Sequence, residues 1–152
     1  MCIEGKFVVR FLRLWMLPLA AVVIFLAFHF LEGSSEPAAV ANSVKTGNQV
    51  DVIFGRISKV LDANSTHFQA LSPDIKAFQA ANDKLAKTEH GPNKQFNGLT
   101  TKLVKDNQKL ISELKSFVAN PTQSGANKID SDAKAINDVT VRSNALIHKL
   151  YR

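Results

Sequence analysis

The sequence predicts an all-α protein: an N-terminal transmembrane helix followed by a three- to four-helix antiparallel bundle of coiled-coil character. Three observations predict it. Residues 14–31 contain no Lys, Arg, Asp or Glu. Beyond them apolar residues recur at steps of three and four without strand-like alternation. Pro73, Pro92 and Pro121 fall between the periodic segments, where a missing amide does least harm.

Residues 1–13 form a short segment carrying Lys6, Arg10 and Arg13. Cys2 is the only cysteine, so no intrachain disulfide or thiolate metal cluster can form. Residues 14–31, as a helix of about 27 Å, come close to the hydrocarbon thickness of a bilayer. Pro18 falls near its first turn and His29 near its far interface. Basic residues precede the run and Glu32 and Glu36 follow it, which predicts a cytoplasmic amino terminus and an exported remainder. The run exceeds the apolar core of a cleavable leader, so it reads as a retained signal anchor. Ala39-Val40-Ala41 nevertheless has the small-x-small pattern of a processing site, and cleavage after Ala41 is the alternative.

Residues 32–47, rich in Gly, Ser, Pro and other small residues, read as a flexible tether, with the extracytoplasmic helical domain spanning 48–152. The first helix is predicted over about 45–71, with Ile53, Ile57, Val60, Leu61, Phe68 and Leu71 on one stripe. Ser72-Pro73 marks the start of a second, Ser as N-cap and Pro at the first helical position, carrying Ile75, Phe78, Ala81 and Leu85. Gly91-Pro92-Asn93 ends it. The third, about 93–119, aligns Phe96, Leu99, Leu103, Leu110, Leu114 and Phe117. The fourth, about 128–151, aligns Ile129, Ile136, Val139, Leu146, Ile147 and Leu150. The steps Leu61, Asn64, Phe68, Leu71, Ile75, Phe78, Asn82, Leu85 keep one register through Ser72-Pro73. That continuity favours a kinked rod or a corner over a tight hairpin.

Asn64 and Asn82 occupy seam positions in this register, where a buried Asn can set pairing and oligomeric state. Asn64-Ser65-Thr66 is also an N-glycosylation acceptor sequence, a use incompatible with a seam. His67, His90 and His148 lack the paired spacing of a zinc site, and Asp130-Ser131-Asp132 lacks the Gly and closing Glu of a calcium loop. Those aspartates suit the first turn of the fourth helix instead. No phosphate-cradling loop or nucleophile elbow occurs, so the reading is neither an enzyme nor a cofactor protein.

From Asn42 onward 16 Lys and Arg stand against 10 Asp and Glu. On the third helix Lys94, Lys102, Lys105 and Lys109 fall within an arc of about 80°. This row suits an anionic polymer or lipid headgroups better than nucleic acid, because no aromatic residues interleave with it. The sequence therefore predicts a single-pass membrane protein with a periplasmic or extracellular domain that works by contact with a protein partner or a second copy. Its alternatives are a secreted helical factor binding anionic surfaces and a ligand-sensing bundle.

Overall fold

A computed structural model of the chain describes residues 37–62 and 68–151. Among them are four α-helices, α1 (Ala38–Asp62), α2 (Ser72–Lys87), α3 (Lys94–Ala119) and α4 (Gln123–Tyr151), a 3-10 turn (Phe68–Leu71), and no strand. The segment 14–31 and Asn64 lie outside the described residues. No helix among the described residues is long and apolar enough to cross a membrane.

The helices run antiparallel in sequence order. Arg56 near the end of α1 pairs with Asp74 at the start of α2, and the Phe54 and Phe78 rings lie 5.8 Å apart. Ser43 near the start of α1 touches His90, just past α2. Gln79 meets Gln108, and Asn82 meets the Val104 carbonyl, so α2 and α3 run opposite. The pairs Lys109–Asp132 and Lys128–Glu113 do the same for α3 and α4.

The continuous register through Ser72-Pro73 therefore does not make a rod, and the kinked or cornered passage is corrected to a reversal. α1 stops at Asp62, and the connection includes the 3-10 turn. That turn buries Phe68 and Leu71 under the end of the bundle, with the Phe68 ring edge-on to Phe117 at 4.9 Å. The 3–4 spacing arises because turn and helix both face the same core. The turn runs into α2 without leaving helical dihedrals, at Leu71 φ −73 and ψ −18. Ser72 is consequently not the N-cap, and no side chain caps this end.

A second correction concerns residues 38–47, expected as tether but forming the first turns of α1. Pro37 starts the helix: its carbonyl accepts from the amides of Val40 and Ala41 at 2.9 and 3.1 Å. Val40 is 0% exposed, and Ser43 and Thr46 are buried beside it. Their polarity made the segment look solvated. Thr46 satisfies its hydroxyl on the Asn42 carbonyl at 2.9 Å, within its own helix.

α3 begins where expected, because the Asn93 side chain accepts from the Phe96 amide at 2.9 Å. Gly91, at φ +79, makes the preceding turn in the left-handed region open to glycine. A Cβ there would also stand 3.0 Å from Val40 Cγ2, so this turn closes directly on α1. α4 starts five residues earlier than predicted, with Thr122 Oγ1 accepting from the Gly125 amide at 3.0 Å. Asp130 and Asp132 therefore sit well inside α4, not in its first turn, and Leu150 is 40% exposed instead of part of the stripe.

Two apolar clusters result. One, at the α1–α2 connection, includes Leu61, Leu71, Phe78, Leu114, Phe117 and Ile129. The other, at the end where α1 begins, joins Val40 to Phe96, Leu99, Val139, Leu146 and Ile147. Leu103 packs against both.

Candidate functional site

The chemistry of this bundle is concentrated between the helices, in positions the apolar stripes leave to polar residues. α1 and α4 approach each other less closely than the three helix pairs that follow one another in sequence. A cavity of about 50 Å³ lies among the helices there. Its polar wall comprises Ser43, Asn48 and Asp51 of α1, Thr100 of α3, and Thr140, Ser143 and Asn144 of α4. Leu85, Phe96, Leu103 and Ile147 supply apolar wall.

Asp51 is the one ionisable group lining this cavity. It keeps partial exposure at its surface, yet the protein around it pushes its carboxyl up to about 7 by desolvation alone. A carboxylate is normally held ionised by a cation or by hydrogen-bond donors, and here burial dominates. Ser143, in the same wall, is 9% exposed, and its buried Oγ has no hydrogen-bond partner among the described residues.

Beside the cavity, Ser43 Oγ lies against His90 Nδ1 and within 3.4 Å of the Glu89 carbonyl. Burial lowers the His90 pKa, which favours the neutral ring. The contact ties the α2–α3 connection to α1.

A second polar pair crosses the α2–α3 seam. Asn82, 1% exposed, donates to the Val104 carbonyl at 3.1 Å and accepts from Asn107 Nδ2 at 3.0 Å. Asn82 thus lies in a seam within the chain. Asn107, also 1% exposed, is missing from the predicted stripe although it stands midway between Leu103 and Leu110, where the step of three and four would have found it.

The four lysines of α3 share an exposed face but differ in their partners. Lys109 pairs with Asp132 at 2.5 Å, and Lys102 with Asp106 at 2.7 Å. The hydrogen bond and charge of Asp132 raise the Lys109 pKa. Lys94 and Lys105 make no ion pair among the described residues. The row is therefore half neutralised within the chain.

A different basic surface emerges from the antiparallel order. The end where α1 begins gathers exposed Lys45, Lys84, Lys87, Lys94 and Lys149 against Asp83 and Glu89. The opposite end is close to balanced, and two of its cations are paired, Arg56 with Asp74 and Lys128 with Glu113. Lys84, Lys87 and Lys149 complement the C-terminal dipoles of their helices, whereas Lys94 opens α3, where the dipole disfavours a cation. On the outer surface, α1 and α2 enclose an open groove of about 420 Å³ lined by Val52, Ile53, Arg56 and Ala81. Val52 is 52% exposed there.

Ala41, the candidate cleavage position, lies in the first turn of α1, next to buried Val40. Among the described residues, no group of three or more His, Cys, Asp or Glu side chains is placed to hold a metal ion. No protein family, curated protein or solved structure matches this chain.

Proposed function

We propose that this chain is a membrane-anchored helical contact module: residues 14–31 hold the bundle on the far side of a bilayer, and the bundle binds a protein partner without performing catalysis. The observation that carries the reading is the character of the end where α1 begins. α1 starts at Ala38, seven residues after Leu31, and seven residues reach at most about 25 Å. The bundle of a retained anchor therefore stands close to the bilayer. The surface next to that junction is the lysine-rich end, whose charge would complement anionic headgroups of the facing, non-cytoplasmic leaflet. The groove over Val52 and Ile53 then faces away from the junction along the side of the bundle, available to a partner.

The secreted alternative requires removal of residues 1–41, which takes away Val40 and with it a fully buried member of the second apolar cluster. It also relies on a lysine row that spends Lys102 and Lys109 on internal ion pairs. Both points favour the anchored reading.

Mass measurement and fractionation of the native protein test it. An intact chain released only by detergent, with a partner-dependent crosslinked species in native membranes, is the expected result. A soluble chain shortened by 41 residues refutes the anchor, and crosslinking that yields monomer alone refutes contact with a protein.

A further inference from the structure

We propose that the cavity beside Asp51 is a binding site for a small primary alkylammonium ion, with the Asp51 carboxylate as counter-ion. This goes beyond the anchored reading and is independent of it, because every residue of the site lies within the bundle. Three features of the cavity point the same way.

Its charge inventory is a single acid: the surrounding wall offers Ser43 and Asn48 from α1, Leu85 from α2, Phe96, Thr100 and Leu103 from α3, and Thr140, Ser143, Asn144 and Ile147 from α4, none of them charged or titratable. Asp51 makes no hydrogen bond or ion pair among the described residues, so its ionised form lacks a partner that a cation would supply.

The size and polarity select the class. About 50 Å³ is several times the roughly 10–15 Å³ of free space that a single enclosed water needs. An ammonium head provides three donors and no acceptor, matching a carboxylate and hydroxyl oxygens. The apolar wall from Leu85, Phe96, Leu103 and Ile147 suits a short alkyl tail, which a hydrated metal ion lacks. Binding of the cation favours ionised Asp51, so the site takes up its ligand with release of a proton when Asp51 starts protonated.

The test uses the full chain in a mild detergent, n-propylammonium as probe and n-propanol as its neutral counterpart, followed by calorimetry and by the carboxyl-carbon NMR signal of Asp51. The expected result is n-propylammonium binding that weakens by about tenfold per pH unit once Asp51 is mostly protonated. Saturation should also move the Asp51 titration down toward the ordinary carboxylate range. Asp51→Asn should weaken binding at least about tenfold while leaving the protein folded. Equal binding of n-propanol, unchanged binding by Asp51→Asn, or an Asp51 signal unmoved by n-propylammonium overturns the proposal and leaves a cavity that holds water only.

Discussion

Replacing Asp51 by Asn keeps the shape of the side chain and removes its ability to ionise, which isolates the energetic consequence of burying this acid. The carboxyl rises from 3.8 to about 7 on folding, through desolvation. At 1.36 kcal/mol per pKa unit, this amounts to roughly 4 kcal/mol of destabilisation once the pH is above both values. The sign follows from proton counting. Between 3.8 and about 7 the folded protein binds more protons at this position than the unfolded chain does, so stability falls as pH rises through that window. Below the window both states are protonated, and above it the loss is complete. Asp51→Asn should therefore gain stability over the parent by about 2–3 kcal/mol more at pH 8 than at pH 5. Equilibrium urea unfolding of both full-length proteins in the same detergent, followed by circular dichroism, measures the difference. A variant no more stable than the parent at pH 8, or a gain that does not change with pH, refutes the claim that Asp51 is buried without a partner.

Three other outcomes follow from the packing. Val40→Ala should cost about 2 kcal/mol in urea unfolding, because Val40 is 0% exposed, and a chain beginning at Asn42 should lose at least as much; equal stability of that shorter chain would mean α1 does not need its first turn. Gly47→Ala should raise the melting temperature, by about 0.5–1 kcal/mol in stability, since a Cβ there meets nothing within 4 Å in mid-helix; no effect would return residues 38–47 to a tether. Asn107→Ala should cost about 1–3 kcal/mol by leaving Asn82 Oδ1 unpaired, whereas joint replacement of Asn82 and Asn107 by Leu should recover part of that loss in a double-mutant cycle.

Helix content and the position of α3 with most of its buried stripe are legible from the 3–4 spacing of Phe96, Leu99, Leu110, Leu114 and Phe117 and from the placement of the prolines, whereas the continuous register through Ser72-Pro73 left three helices against four undecided. These are local properties: a helix that buries one face repeats its apolar residues at its own pitch. The same reasoning identified Asn82 as a seam residue but overlooked Asp51 and Ser143. Extending the α1 stripe back from Ile57 through Phe54 and Val50 to Gly47 and Val40 would have brought Asp51 to the edge of the buried face. The small polar residues at 42–48 interrupted that extension, because Ser43 and Thr46 resemble linker residues until a neighbouring helix covers them.

Periodicity and charge order by themselves determined that this is a helical chain, and they support an apolar segment oriented by the basic residues before it. Only the tertiary structure decided that α2 folds back along α1, that Lys102 and Lys109 are engaged by Asp106 and Asp132, and that five lysines meet at one end. The reason is physical. A helical repeat states which side of a helix is buried, whereas the direction of the next helix depends on a connection and on contacts between residues tens of positions apart. The environment of Asp51 is likewise made by side chains from all four helices, and no stretch of sequence around it contains them.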